Sequence, residues 1–316
     1  MRITLLAGGV GGARFLRGVR AAAPEAQITV IGNTGDDITL FGLHVSPDLD
    51  TVMYTLGGGI SEDQGWGRDD ERYTVQSELA AYGAGPDWFS LGDRDFATHI
   101  LRTAMLKAGL PLSAVTLQLC ERWQPGVTLL PMTDDDVQTQ VLIDEDAGRR
   151  TVHFQEWWVR LHAKVPALKF TAAGAGSATP APGVLDAIAD ADFVLLPPSN
   201  PVVSIGIILT IPGIADAVAA KTVVGVSPVI GGAPVRGMAD ACLATIGVKT
   251  SATAVAAHYG ARLLDGWLVD TSDAEATTAA ELRGIAVRAV PLYMTDLAAT
   301  AAMATAAIEL AAELTR

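Results

Sequence analysis

The chain has 316 residues, of which 50% are hydrophobic and 18% are charged, so it has enough apolar side chains for a large core and does not resemble a disordered protein. Its formal net charge of −13 argues against a broad nucleic-acid-binding surface, although a local basic pocket is not excluded. The two cysteines, Cys120 and Cys242, lack metal-ligand spacing, and the N-terminus has no signal-peptide pattern, so we expect a soluble, cytoplasmic protein without a membrane span.

The first elements form a βαβ unit. The runs "RITLLAGG" and "QITVIGN" are typical of short strands that end in turns. Between them, Phe15, Leu16 and Val19 recur on one face of a predicted helix. This order predicts two parallel strands joined by a right-handed helical crossover.

A glycine-rich loop, "AGGVGGARFLRG", follows the first strand. A strand, a glycine-rich turn and a helix N-terminus together favour a bound phosphate, with Arg14 as its side-chain partner. Counted from Gly9, the third glycine of a dinucleotide fingerprint is replaced by Arg14, and no Gly-Lys-Ser/Thr follows. Tight packing of strand on helix is the alternative explanation. The candidate phosphate ligands in the loop are Gly8, Gly9, Gly11, Gly12 and Arg14.

Acidic side chains follow the second strand. "GNTGDD" carries Asp36 and Asp37, and "SPDLDT" carries Asp48 and Asp50 a short distance later. At the carboxyl end of a parallel sheet these acids would adjoin the predicted phosphate site, and a Mg²⁺ ion between them would relieve the repulsion. Ordinary turns and helix caps are the alternative.

The middle of the chain, from about residue 57 to 176, loses the βαβ rhythm. "DFATHILRTAMLKAGL" predicts a helix, and Arg94 just before it is either a phosphate ligand or half of a surface ion pair. "VQTQVLIDEDAGRRTVHFQEWWVR" predicts two strands joined by a turn at residues 146–148. On such a strand Trp157 and Trp158 point to opposite faces, so we expect one of them to cover a flat ring ligand.

The strand–helix alternation returns near the end of the chain. Its strands are almost continuously apolar, which predicts burial on both faces. We therefore expect an α/β protein with a Rossmann-like, doubly wound, mostly parallel sheet, formed by residues 1–56 and 177–316. Residues 57–176 are predicted to form an inserted, smaller α/β subdomain.

Two late loops follow predicted strands and are candidate binding sites for a nucleotide base or a phosphate. Serine and asparagine side chains between prolines can fix a base or a phosphate, although ordinary turns explain either loop equally well. The residues are Ser199, Asn200 and Pro201 in the first loop, and Ser227, Pro228 and Gly231 in the second.

The motifs together resemble those of the 2-phospho-L-lactate transferase family, which makes the side chain of the deazaflavin coenzyme F-420. They are, in order, "LAGGVGGARFLRG", "GNTGDD", "SPDLDTVMYTLGG", "GDRDFATH", "MTDDDVQT", "FQEWWV", "PPSNPVVSIG" and "VSPVIGG". The resemblance implies transfer from a lactyl- or, in actinobacterial members, enolpyruvyl-diphosphoguanosine to the terminal hydroxyl of the deazaflavin Fo. GMP is released and Mg²⁺ is required. The alanine-rich composition suggests an actinobacterium and so favours the enolpyruvyl donor.

The resemblance also implies roles for particular residues. Asp37, Asp50 and Arg94 would be catalytic. Asp37 and Asp50 would bind Mg²⁺, or one of the two would take the hydroxyl proton as general base. Asp48, Asp50, Arg94 and Trp157 would contact Fo, in a pocket that residues 57–176 help to form. On this basis Asp50→Ala should reduce turnover far more than stability, and a homodimer is expected from the prevalence of dimers.

Two alternatives stay open. The gluconeogenesis factor family shares the glycine loop and binds nucleotide-sugars as a regulator, but the second loop here lacks its "DDGGS" run. A nicotinamide-dependent oxidoreductase is disfavoured by the missing third glycine and by Asn33, which stands where an acid would bind the ribose. Val10 also departs from the transferase pattern, in which threonine is common.

Overall fold

The computed structural model describes residues 1–146 and 148–315. The strands are β1 (Arg2–Ala7), β2 (Gln27–Gly32), β3 (Ile38–Leu40), β4 (Leu43–Val45), β5 (Thr128–Pro131), β6 (Gln138–Glu145), β7 (Gly148–His153), β8 (Ala167–Ala173), β9 (Phe193–Leu196), β10 (Val223–Val226), β11 (Val229–Ile230), β12 (Ala233–Pro234), β13 (Gly266–Val269) and β14 (Ala286–Ala289). The α-helices are α1 (Gly9–Ala22), α2 (Pro47–Leu56), α3 (Thr74–Ala81), α4 (Asp93–Lys107), α5 (Leu112–Trp123), α6 (Val184–Asp190), α7 (Ile205–Thr210), α8 (Ile214–Ala219), α9 (Ala239–Thr245), α10 (Ala252–Tyr259) and α11 (Leu297–Leu314).

A seven-stranded sheet in the order β14-β13-β10-β9-β1-β2-β5 is the centre of the fold. Its neighbouring strands all pair in parallel, and Leu5 of β1 is in register with Val30 of β2 and Leu195 of β9. The side chains of β9, β10 and β13 are buried on both faces, which explains their continuous apolar sequence. The predicted α/β class with a doubly wound, mostly parallel sheet is confirmed.

Helices cover both faces of this sheet and divide the core in two. On one face, β1 packs with α1, α2, α5 and α11, and Phe15, Leu16 and Val19 are fully buried there, as their spacing predicts. On the other face the sheet packs with α6, α7, α8 and α10. Helix α11 is long and apolar enough to span a bilayer by composition, but it packs along α1 in the manner of a soluble core helix.

The middle of the chain differs from the predicted inserted subdomain of residues 57–176. Strand β5 lies within that range but pairs with β2 as the edge strand of the main sheet, so part of the range belongs to that sheet. Strands β7, β6 and β8 form a small antiparallel sheet of their own, of which β8 was not predicted. In the predicted turn between β6 and β7, Ala147 lies outside the described residues.

The chain reverses its direction of winding at β1. From β1 it proceeds through α1 to β2 on one side, whereas the strand on the other side, β9, arrives after residue 190. In sheets of this kind the crevice outside the carboxyl ends of such a strand pair is the usual ligand site. The glycine loop after β1 and the loop after β9 meet at this position.

Candidate active site

The glycine loop packs against the loop that follows β9. A β-carbon at Gly11 would lie 2.5 Å from the carbonyl oxygen of Pro198, and one at Gly12 would lie 2.7 Å from Ser199 Oγ. The Ser199 hydroxyl also donates a hydrogen bond to the Gly8 carbonyl oxygen at 2.7 Å. Close packing therefore accounts for Gly11 and Gly12 without a ligand.

A substitution tests this packing. Gly11→Ala should lower the free energy of unfolding by about 1–3 kcal/mol, because the new methyl group meets a rigid backbone carbonyl. Gly176→Ala is the matched control, since nothing lies within 4 Å of its β-carbon position. Urea unfolding of both variants measures the difference. Equal stabilities would show that the two loops do not pack as closely as described.

At the start of α1, a backbone N–H group is hydrogen-bonded to a carboxylate. Gly9 has a φ of +65° and its N–H donates to Asp48 Oδ1 at 2.7 Å, while the Asn33 amide donates to Asp48 Oδ2 at 2.9 Å. Burial raises the pKa of Asp48 to about 6. One N–H group that was expected to bind phosphate thus already has an acidic partner. The next N–H groups of the helix, at Val10 and Gly11, lack intrahelical acceptors because they belong to the first turn.

One carboxylate oxygen of Asp37 is hydrogen-bonded and the other is not. The Ser46 hydroxyl donates to Asp37 Oδ2 at 2.7 Å, and His44 Nε2 lies 2.9 Å from the same oxygen. Asp37 Oδ1 is buried and makes no hydrogen bond to the described residues. His153 Nε2 donates to the Asp37 carbonyl at 3.0 Å and fixes the backbone. The result is a preoriented carboxylate with a vacant acceptor.

The neighbouring side chains add further oxygen atoms. Asp36 Oδ1 and the hydroxyls of Thr34 and Thr139 are also buried and without hydrogen bonds to the described part of the chain. Burial, and then the negative charge of Asp48, raise the pKa of Asp36 well above its usual range. Burial also raises the pKa of Asp37. These side chains, of Thr34, Asp36, Asp37 and Thr139, are called the acidic pocket below.

Hard oxygen atoms without partners suit Mg²⁺, so the residues fit the metal that the sequence predicts. Within residues 1–146 and 148–315, no three His, Cys, Asp or Glu side chains form a metal site by themselves. Mg²⁺ commonly takes only one or two carboxylates and completes its coordination with water and substrate phosphates. Asp37 therefore fits a one-carboxylate metal site that water and a bound diphosphate would complete, with Asp36 as its neighbour in the same loop.

Asp50 was predicted to bind the metal, but its carboxylate is already occupied. Arg102 grips it with both terminal nitrogens, Nη1 at 3.0 Å from Asp50 Oδ2 and Nη2 on Oδ1, and Arg102 is only 1% exposed. His99 Nδ1 lies 3.2 Å from Arg102 Nη1 and completes a buried cluster between α2 and α4. We therefore no longer assign Asp50 to the metal. Arg102 was missed because only the tertiary fold brings it to Asp50.

Arg94 and Trp157 also lie differently from the prediction. The Arg94 side chain is 47% exposed and donates to the Asp69 carbonyl and the Asp70 carboxylate, each at 3.0 Å, so it forms a surface ion pair. Trp157 is 0% exposed, and its indole N–H donates to the Val165 carbonyl at 2.8 Å. The tryptophan pair stands in a π-helical turn, Glu156–Arg160, rather than on a strand. Trp157 is a core residue and is not available to a ring ligand.

The two late loops are organised by their own turns. Asn200 Oδ1 accepts from the N–H groups of Val202 and Val203, and Ser227 Oγ donates to the Val229 carbonyl at 2.7 Å. Pro201 and Pro228 are buried. Gly231 is exposed, and its N–H donates to Asp273. Of these residues, Ser199 alone bonds to the glycine loop among the described contacts, so the first loop lies at the glycine loop and the second does not contact it.

Comparison with known proteins gives a consistent family relationship. The family profile described as "2-phospho-L-lactate transferase CofD" matches residues 3–309. A Thermobifida fusca protein named phosphoenolpyruvate transferase is 68% identical, over 99% of both chains. A Streptomyces coelicolor protein of the same name is 66% identical, over 99% of both chains. A third protein with this name, from Mycobacterium sp. strain KMS, is 55% identical and covers 98% of this chain and 99% of its own.

The fold is also found in a distant solved structure. A Bacillus halodurans protein described as a member of the upf0052 family matches with a TM-score of 0.62 at 16% identity, covering 97% of this chain and 99% of its own. At this identity the match establishes the shared fold only.

Proposed function

The chain belongs to the 2-phospho-L-lactate transferase family and is a transferase of coenzyme F-420 biosynthesis, and we propose that it transfers a phosphoenolpyruvyl group to the deazaflavin Fo. The proposed donor is enolpyruvyl-diphospho-5'-guanosine and the proposed product, besides the ester, is GMP. The names of the highly similar actinobacterial relatives favour enolpyruvyl over lactyl. The match over nearly the whole chain carries the transferase assignment.

The acidic pocket at the β1/β9 crevice supports the placement of the reaction. Asp37 would hold Mg²⁺ through its free Oδ1, and the ion would supply charge neutralisation for the diphosphate. Asp48, hydrogen-bonded to the start of α1 and to Asn33, would keep the metal-binding loop and the glycine loop in fixed relative positions. The donor's diphosphate would lie against the free N–H groups of Val10 and Gly11 and beside Arg14.

The proposed step is a displacement at phosphorus. The terminal hydroxyl oxygen of Fo forms a bond to the phosphorus remote from guanosine, the bond from that phosphorus to the bridging oxygen breaks, and GMP leaves with the bonding electrons. The hydroxyl proton passes to a carboxylate of the pocket. Asp36 is the candidate acceptor, because its Oδ1 makes no hydrogen bond to the described residues.

One assay tests the proposal. Purified protein with Fo, the enolpyruvyl donor and Mg²⁺ should release GMP, and mass spectrometry should identify the phosphoenolpyruvyl ester of Fo. Omission of Mg²⁺ should stop the release. No GMP from either donor, combined with tight binding of a UDP-sugar, would instead favour a nucleotide-sugar-binding regulator.

The oligomeric state and location of the protein complete the proposal. We expect a cytoplasmic homodimer that binds neither nucleic acid nor membranes, in accord with the net charge of −13. Sedimentation velocity of the pure protein measures the oligomeric state.

A further inference from the structure

A short segment of the chain crosses the glycine loop. This strap, residues 60–68, is closed on itself: Ile60 and Arg68 pair across it, and the Gly65 N–H donates to the Ser61 carbonyl at 2.7 Å. At its tip a β-carbon on Gly65 would lie 2.9 Å from Val10 Cγ1, so the strap rests directly on the first turn of α1. Val10 thus has a packing role that the sequence did not reveal.

Arg236 reaches the same point from the other side. It follows β12, and its Nη1 would lie 3.1 Å from a β-carbon on Gly65. Arg236 Nη2 donates to the Gln64 carbonyl oxygen. The strap, the first turn of α1 and the Arg236 guanidinium therefore meet at one place.

The charge at this place is not balanced by the protein. In the described part of the chain neither Arg14 nor Arg236 forms an ion pair with a carboxylate, although acids outnumber bases 35 to 22. Burial, and then the positive charge of Arg14, lower the pKa of Arg236. Arg14 lies one helical turn after Val10 on α1, and Val10 is the residue that the strap contacts, so both guanidinium groups belong to this end of the helix. Two such groups favour a bound anion, because each is the natural partner of a phosphate.

A second contact holds the strap to α1, and it is an ordinary ion pair. Arg17 bonds to Glu62 at 2.7 Å, and both side chains are substantially exposed. In that pair the arginine charge is neutralised by its partner. Arg236 instead bonds to a neutral carbonyl, which leaves its charge available to a ligand.

We propose that Arg236 and Arg14 together bind the diphosphate of the guanosine donor beneath the strap, with Arg236 exchanging the Gln64 carbonyl for a phosphate oxygen. The inference rests on the proposed function for the identity of the ligand. It adds a phosphate ligand from the loop after β12, which lies more than 200 residues from the glycine loop along the chain.

Binding of GDP and of guanosine to the whole protein, measured by isothermal titration calorimetry with Mg²⁺ present, tests the proposal. Arg236→Gln keeps an N–H donor but loses the charge. It should lower the affinity for GDP at least about tenfold, as expected for the loss of a charged hydrogen bond. Guanosine, which has no phosphate, should bind this variant and the wild type equally. Arg236→Lys should recover part of the GDP affinity.

Arg17→Gln is the matched control, because it breaks the other tie of the strap and should leave GDP affinity unchanged. The inference is wrong if Arg236→Gln binds GDP with the affinity of the wild type, or if Arg17→Gln lowers the affinity for GDP equally. In either case Arg236 only holds the strap in place. Failure of the wild type to bind GDP at all would overturn the proposed function, and the diphosphate ligand with it.

Discussion

Replacement of Asp37 by asparagine is expected to reduce GMP release at least about 100-fold, since loss of a mere supporting partner of a metal ligand already costs roughly 10–100-fold. Asp37 is the carboxylate whose orientation is fixed by Ser46 and His44 while its second oxygen stays free. The amide of asparagine has the same shape and can keep the hydrogen bonds to Ser46 and His44, but it carries no negative charge. The fold should therefore survive, as judged by an unchanged circular dichroism spectrum.

A binding measurement separates metal binding from other roles of Asp37. In the wild type Mg²⁺ should strengthen GDP binding, and in Asp37→Asn it should not. Asp144→Asn, which removes an exposed carboxylate on β6, is the control and should behave like the wild type. Retention of the Mg²⁺ effect in Asp37→Asn would exclude this residue as a metal ligand.

Asp50→Ala should have its largest effect on stability. The variant leaves the guanidinium of Arg102 buried without its carboxylate, and removal of one partner of a buried ion pair costs about 3–5 kcal/mol. The sequence instead predicts a catalytic and metal-binding role for Asp50, with a larger effect on turnover than on stability. Urea unfolding, followed by tryptophan fluorescence, measures the loss.

The double variant Asp50→Leu/Arg102→Met is the control. Replacing both charges by apolar groups leaves no charge unpaired, so much of the stability should return. A single variant as stable as the wild type, or a double variant less stable than the single one, would contradict the structural role assigned to this pair.

The sheet could be predicted from the sequence because its strands are defined locally. Apolar runs such as Ile3–Leu6 and Val223–Val226 carry their own signal, and the helices between them show a buried stripe. Strand β5 was not predicted, because its four residues follow an irregular region and end in Pro131. Its place beside β2 depends on pairing over about 100 residues of chain, which no local pattern encodes.

The site was predictable in position but only partly in detail. The strand-end rule predicted that acids after β2 adjoin the glycine loop, and Asp48 does so, since it accepts from the Gly9 N–H. The same rule could not show that Asp50, two residues beyond Asp48, faces Arg102 on another helix. Trp157 was misjudged because a π-helical turn replaced the expected strand and buried the indole against Phe170.

The glycine loop illustrates how two explanations can hold for one motif. Gly11 and Gly12 admit the loop after β9, as tight packing requires, while the N–H groups of Val10 and Gly11 still lack intrahelical acceptors. The packing brings the two loops of the crevice together. The phosphate site is therefore proposed beside this contact, at the end nearer Arg236.

The central claim is that a divalent cation held by Asp37 meets the donor's diphosphate at the β1/β9 crevice. A crystal structure with GDP and Mn²⁺, with the metal located by its anomalous scattering, tests it most directly. We expect a metal bonded to Asp37 Oδ1 and to the diphosphate, with the diphosphate between the first turn of α1 and Arg236. A metal bonded to Asp50, or a diphosphate away from Val10 and Gly11, would contradict it.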